Sequence, residues 1–212
     1  MITIYDLKPR FQNLLRPICS GLVNSGVTAN QVTISAIVLS ALGGIWIALS
    51  PDQSLPLLVL PIILFIRMAL NAIDGMMARE FNQKSNLGAV LNELGDIIAD
   101  VLLYIPFVMI AGVSAPLCTA VVLLGIIVEM IGVISVQIGG SRRYDGPFGK
   151  SDRAFAFGLL AVLLAFDFIP PPWSDYYLSL LILLSCYTVF NRAHRALNEA
   201  GSQPKNQSGN HP

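Results

Sequence analysis

Charge is what this sequence has least of. Only 12% of its 212 residues are Asp, Glu, Lys or Arg, about half the share found in an ordinary soluble domain. The two signs balance at thirteen each, so nothing supports a nucleic-acid-binding surface and no nucleic-acid partner is expected. Cysteine is scarce too. Cys19, Cys118 and Cys186 stand far apart in apolar or helical surroundings, which argues against a disulfide framework and against a cysteine zinc site. His194 and His211 have no neighbours that complete a metal site or catalytic pair. No small-residue cleavage site follows a short apolar stretch near the start, where the first charge is Asp6. No cleaved signal peptide is expected.

What the chain has instead is apolar residues, 54% of the total, with a mean hydropathy of +0.66. That is enough for about six spans of ~20 residues. Six apolar stretches separate, at about 28–49, 56–80, 87–111, 115–138, 152–169 and 175–197. The expected fold is an all-α membrane protein with six transmembrane helices. Turn formers such as Ser50-Pro51-Asp52-Gln53 and Pro170-Pro171-Pro172-Trp173 connect them. An even number of spans puts both termini on one side. Lys8, Arg10, Arg16, Arg79, Lys84, Arg142, Arg143, Lys150, Arg153, Arg192, Arg195 and Lys205 all fall on that side, Arg67 lies inside the second span, and the opposite loops contain none. By the positive-inside rule that face is cytoplasmic, and the expected location is the cytoplasmic (inner) membrane.

Ahead of the first span, Ile4, Leu7, Phe11, Leu14, Leu15, Ile18 and Leu22 recur at helical spacing. They predict an amphipathic helix over about 4–23 lying in the interface, or a juxtamembrane helix packed on the bundle. Thr28 followed by Gln31 predicts a capping box opening the first span. Residues 1–200 are expected to form one membrane domain, with 201–212 a disordered polar tail.

Ionisable groups within a span are functional candidates, and they concentrate where the second span ends and the third begins. At 100° per residue Asn71, Asp74 and Ala78 share a face, and Asn92, Asp96 and Asp100 form a stripe on the next helix. A short loop makes the two helices antiparallel neighbours, so the stripes can face each other. Amide and carboxylate oxygens without His or Cys suit a hard cation, Mg²⁺ or Mn²⁺. Gly75, Ala78 and Gly88 remove bulk beside it, and Arg79 offers a fixed charge for phosphate.

This stretch resembles the signature of the CDP-alcohol phosphotransferases, D-x₂-D-G-x₂-A-R-x₈-G-x₃-D-x₃-D. The chain has N-x₂-D-G-x₂-A-R-x₈-G-x₃-N-x₃-D, with every spacing kept and six of eight fixed positions matched. Thr28-Ala29-Asn30-Gln31-Val32-Thr33 is similar to the family's Thr/Asn motif. The resemblance implies that Asn71, Asp74, Asn92 and Asp96 occupy the metal positions, with Asp96 also the general base. It makes Asn30, Thr33, Gly75, Ala78, Arg79 and Gly88 nucleotide contacts, and it implies a homodimer. Asn71 and Asn92 are departures that remove two negative charges, and Asp100, one turn beyond Asp96, is expected to compensate as a ligand.

The connector 141–153 carries Arg142, Arg143, Lys150 and Arg153 on the motif's side. Arg142, Lys150 and Arg153 are expected acceptor or phosphate contacts, although positive-inside charge accounts for them equally well. Arg67, Asp100 and Glu129 lie at similar depth and read as a buried ion-pair network. The expected activity is membrane-embedded transfer of a phosphatidyl or related group from a CDP-linked donor, CDP-diacylglycerol first, to an acceptor alcohol with release of CMP. Two alternatives stand beside it: a catalytically weak or inactive relative that binds nucleotide lipid or a partner enzyme, and a transporter with an oxygen-ligand cation site.

Overall fold

The computed structural model describes residues 4–202, and among them every regular element is helical. The helices are α1 (Ile4–Asn24), α2 (Ala29–Leu49), α3 (Ser54–Glu80), α4 (Asn86–Tyr104), α5 (Ala115–Gln137), α6 (Lys150–Ala165) and α7 (Pro171–Ser202). A short 3₁₀ turn, Ile105–Met109, follows α4. The tail beyond 202 lies outside the described residues.

Four of these helices are long and apolar enough to cross a bilayer: Ala29–Leu49, Ser54–Glu80, Ala115–Gln137 and Pro172–Ser202. The third and fifth apolar stretches hold α4 and α6, of 19 and 16 residues. The third stretch is not one α-helix to residue 111. Pro106 has no N–H to offer the carbonyl four residues back, so the α-helix stops at Tyr104 and tightens into the 3₁₀ turn. α6 starts two residues earlier than the fifth apolar stretch, because Asp152 Oδ2 accepts the Gly149 N–H at 2.9 Å and caps it there.

The chain enters the bundle through a turn at Gly26, whose φ of +80° favours glycine. The Thr28–Gln31 capping box follows as expected, with Gln31 N–H on Thr28 Oγ1 at 3.3 Å and Thr28 N–H on Gln31 Oε1 at 2.9 Å. α2 packs against α3 and α4, α3 against α6, α5 against α7, and α1 along α3. The α2–α4 crossing is tight: a Cβ on Gly44 would sit 1.9 Å from the Leu102 carbonyl oxygen.

The larger apolar core includes Leu60, Tyr104, Phe107, Phe157, Leu160 and Leu178. Its centre is Tyr104 stacked on Phe157 at 4.1 Å, with Phe107 edge-on at 5.3 Å. A second cluster of Leu15, Cys19, Val32, Ile73, Met76 and Met77 joins α1, α2 and α3. Beside that second cluster the polar residues of α3 and α4 come together.

Candidate active site

Helical periodicity and one short loop build the first cavity. α3 ends at Glu80 and α4 begins at Asn86, and Asn82 makes the turn with a φ of 57°. Ser85 caps α4 by accepting the Gly88 N–H at 2.9 Å. Gln83 Oε1 accepts the Ala29 N–H at 2.7 Å, which ties the start of α2 to the same loop. The result is a cleft of about 610 Å³ lined by Asn30, Thr33, Asn71, Asp74, Gly75, Ala78, Arg79, Gly88 and Asn92, all of them expected site residues.

Close approach explains both motif glycines. A Cβ on Gly88 would lie 2.9 Å from Asn30 Oδ1, and one on Gly75 would lie 3.2 Å from the Arg79 guanidinium nitrogens. Asp74 is buried and accepts from Thr33 Oγ1 at 2.7 Å. The same hydroxyl is 3.1 Å from the Ala29 carbonyl. It has one proton, and the shorter, charge-assisted contact to the carboxylate takes it. Arg79 and Lys84 stand at the exposed rim, and among the described residues neither is paired with a carboxylate.

Asp96 lines a second cleft, which shares Asn92 with the first. Its Oδ1 accepts from Asn71 Nδ2 at 3.3 Å and is ion-paired with Lys150. Arg67 Nη2 holds the Asp96 carbonyl at 3.1 Å. The second cleft, of about 320 Å³, is lined by Asn92, Glu93, Asp96, Glu129, Arg142, Tyr144, Lys150, Asp152 and Arg192 among others. Arg142 makes a bidentate pair with Glu93 at 2.9 and 2.8 Å and reaches Glu129 at 3.0 Å. Gly132 permits this, since a Cβ there would lie 1.6 Å from Arg142 Nη1. Arg192 Nη1 donates to the Val128 carbonyl at 2.7 Å and Nε to that of Asp145 at 3.0 Å.

The connector over this cleft is clasped to α7. Arg143 bridges Asp145 at 2.6 Å and Glu199 at 2.9 Å, and Arg195 meets Asp145 at 2.9 Å. Partial burial works to raise the Asp145 carboxyl, but the Arg143 hydrogen bond and the charges of Arg143 and Arg195 outweigh it and hold the group below its ordinary range.

Two expected site residues are engaged with buried partners. Asp100 is held by two arginines: Oδ1 meets Arg67 Nη1 at 2.6 Å, and Oδ2 accepts Arg153 Nε at 3.0 Å and Nη2 at 2.8 Å. Arg153 is 2% exposed and turns inward: Nη2 also donates to Glu129 at 3.0 Å, and Nη1 is buried without a hydrogen-bond partner among the described residues. The buried network expected from Arg67, Asp100 and Glu129 exists, with Arg153 as the link between the two acids. Sequence reasoning missed Glu93 and Arg192 as site-lining groups. Neither belongs to the motif, and Arg192 registers only as one more positive-inside charge.

The oxygen donors gathered here are of the kind that suits a divalent cation. No three His, Cys, Asp or Glu side chains among the described residues converge on a common point. Asp74 and Asp96 are nevertheless near enough for their charges to repel, and Asn71 and Asn92 add amide oxygens of the kind that Mg²⁺ or Mn²⁺ accepts.

A third feature is apolar. Between α3 and α6 a groove of about 420 Å³ is lined by Pro61, Leu64, Phe65, Met68, Ala154, Phe155, Gly158, Leu159 and Val162 with Ser151. It shares Leu64, Met68, Ser151 and Ala154 with a narrower pocket of about 170 Å³ that ends at Arg67, Asn71 and Lys150. An oily trough thus leads to the partners of Asp96.

Residues 26–190 match the CDP-alcohol phosphatidyltransferase family. The chain is 44% identical over 196 residues to the Escherichia coli (strain K12) protein called Inner membrane protein YnbA, covering 92% of this chain and 97% of that one. In fold it is similar to Mycobacterium tuberculosis phosphatidylinositol phosphate synthase (PgsA1). The crystal structure with CDP-DAG bound gives a TM-score of 0.72 at 21% identity, covering 92% of this chain and 98% of that chain. The complex with manganese and citrate gives 0.71 at 23% identity, covering 92% of each. At such identities the likeness speaks for the fold alone. Family match and sequence identity together decide the class: the chain belongs to the CDP-alcohol phosphatidyltransferase family, integral-membrane enzymes that transfer substituted phosphate groups. A transporter is thereby set aside.

Proposed function

We propose that this enzyme transfers a phosphatidyl group from CDP-diacylglycerol to the hydroxyl of an acceptor alcohol, releasing CMP, in phospholipid synthesis. The observation that supports a lipid donor is the apolar groove between α3 and α6, whose inner end opens beside Asp96. A soluble CDP-alcohol has no acyl chain to fill it, whereas a chain of CDP-diacylglycerol can pass from the bilayer into the groove without leaving an apolar surrounding. Residues 1–200 act as one domain crossing the membrane six times, with α4 and α6 as the two shorter crossings. Their charges are matched inside the bundle, as buried charges in a membrane protein must be. Both clefts then face the cytoplasm, on the side of the twelve basic residues. α1 lies in the interface: Leu15 and Cys19 are buried while Leu14 and Ile18 remain exposed for lipid. The resemblance to the family adds a homodimer.

The roles follow the two clefts. Asn30, Thr33, Gly75, Ala78 and Gly88 shape the cytidine slot, where side chains of any size would collide with Asn30 or Arg79. Arg79 and Lys84, unpaired at the rim, hold the diphosphate. Asp74, Asp96, Asn71 and Asn92 would hold Mg²⁺ or Mn²⁺, which when bound supplies positive charge against the diphosphate and the departing CMP. Both contacts to Asp96 fall on Oδ1, which leaves Oδ2 to take the acceptor's proton. The acceptor oxygen then bonds to the phosphorus that carries the lipid, and the bond from that phosphorus to the CMP oxygen breaks. Thr33 and Arg67 fix Asp74 and the Asp96 backbone, so the reacting groups are held in place beforehand.

A competition between donors tests this reading. Purified enzyme in nanodiscs is offered CDP-diacylglycerol and CDP-ethanolamine with a panel of alcohols. CDP-diacylglycerol should be the better donor, and Gly158→Leu, which fills the groove beside Leu64, should raise its KM several-fold. A preference for the soluble donor would remove the lipid assignment.

A further inference from the structure

We infer that the acceptor alcohol carries no phosphate or carboxylate group. The inference rests on the transferase reading above and narrows its second substrate. The acceptor hydroxyl has to reach Asp96 from the side away from the nucleotide cleft, which is the cleft under the 141–149 connector. That cleft looks basic by composition, with Arg142, Lys150 and Arg192 in its wall, but each cation is already engaged. Arg142 is clamped by both oxygens of Glu93 and by Glu129. Lys150 is paired with Asp96. Arg192 donates from Nε and Nη1 to two backbone carbonyls, and its Nη1 lies 3.6 Å from Glu129.

With the buried Arg67 and Arg153 behind the wall, five cations stand with four carboxylates in ion pairs, Glu93, Asp96, Asp100 and Glu129, and with a fifth, Asp152, that caps α6 at the edge. By formal charge the wall is neutral. The nucleotide cleft differs on this point, because Arg79 and Lys84 stand there without carboxylate partners among the described residues. One cleft is set up for anionic phosphates and the other is neutral.

A phosphorylated acceptor would have to pull Arg142 off Glu93, or Lys150 off Asp96, and then sit beside the carboxylate it had stripped. Like-charge contacts of that kind select strongly against a ligand. Hydroxyl groups do not carry the same penalty, since they donate to Glu93 or Asp152 without breaking a pair. An uncharged polyol is the chemistry that fits.

Two matched pairs test this: glycerol against glycerol 3-phosphate, and myo-inositol against myo-inositol 1-phosphate, with CDP-diacylglycerol as donor and CMP as the readout. The unphosphorylated member should have the higher kcat/KM by at least about tenfold. Glu93→Gln, which frees Arg142, should narrow that gap by improving the phosphorylated member. Parity, or preference for the phosphorylated member, overturns the inference. Absence of CMP release with all four alcohols would instead count against the transferase reading. The acceptor inference would then be decided without turnover, by ³¹P NMR titration of inorganic phosphate into the Arg79→Met/Lys84→Met protein. The expected result is no saturable binding at millimolar phosphate. Saturable binding that Arg142→Met or Lys150→Met abolishes would overturn it.

Discussion

Replacing Asp100 with asparagine separates a structural carboxylate from a metal ligand. Asp100 receives three guanidinium contacts, from Arg67 at 2.6 Å and from Arg153 at 3.0 and 2.8 Å, and both arginines are 2% exposed. Removing the charge strands them unequally. Arg153 keeps Glu129 at 3.0 Å, whereas Arg67 keeps the Asp96 carbonyl at 3.1 Å and has no second carboxylate in ion-pair contact among the described residues. Taking one partner out of a buried pair costs about 3–5 kcal/mol, and Asp100→Asn should fall in that range. Arg67→Met alone should cost less, since Asp100 would still have Arg153. The double variant should recover roughly 1–3 kcal/mol relative to additivity, because the two changes remove the same interaction. Reversible unfolding in mixed micelles measures all four proteins. Mn²⁺ titration of the folded protein should be the same for wild type and Asp100→Asn. If Asp100→Asn unfolds within about 0.5 kcal/mol of wild type while Mn²⁺ affinity collapses, Asp100 is a ligand and the network argument fails.

Four further expectations follow from the same geometry. Asp96→Asn should lower CMP release by about 10²–10⁴ while CDP-diacylglycerol binding survives; near-normal turnover would mean another base. Arg79→Ala should raise the donor KM and leave the acceptor KM unchanged, whereas equal effects on both would refute the split between clefts. Gly132→Ala should drive Arg142 off Glu93 and cost about 1.5 kcal/mol, the low end for a charge-assisted contact because Glu93 is partly exposed. Unchanged stability would show that the connector adapts. Asp145 has its carboxyl held below the ordinary 3.8, so its clasp to Arg143 and Arg195 contributes fully above that pH and is lost as pH falls through the lowered value. Proteolysis of the connector should therefore accelerate only in strong acid, and acceleration already at pH 5–6 would contradict the assignment.

The first cleft was legible in the sequence because its parts are local. Asn71, Asp74 and Ala78 share a helix face by periodicity, Gly88 and Asn92 follow across a short turn, and the two helices have little choice but to lie side by side. The capping box at Thr28 was legible for the same reason. The second cleft was legible only in part: Asn92, Asp96, Arg142 and Lys150 were expected near the site, Glu93 and Arg192 were not. Glu93 meets Arg142 across 49 positions and Arg192 meets Val128 across 64, and no periodic pattern specifies such pairings. Arg153 looked like a loop cation because its helix was expected to start at residue 152. The cap on Gly149 starts it earlier, and the first turn carries Arg153 inward to Asp100. Pro106 shortens α4 in a way hydropathy alone does not register. The groove between α3 and α6 was invisible for a different reason: residues such as Leu64 and Gly158 read as ordinary span residues until the two helices are placed together.

Asp96 is the group proposed to drive attack of an alcohol on a CDP-linked lipid, from a cleft that shares Asn92 with the nucleotide cleft. The direct measurement uses purified wild type and Asp96→Asn in nanodiscs containing CDP-diacylglycerol and Mn²⁺, with free polyols as acceptors. CMP and new phospholipid are quantified in the same samples. Wild type should release CMP and form phospholipid in equal amounts, and Asp96→Asn should form neither while still binding the donor. CMP release without phospholipid, or matched product formation by Asp96→Asn, would contradict it.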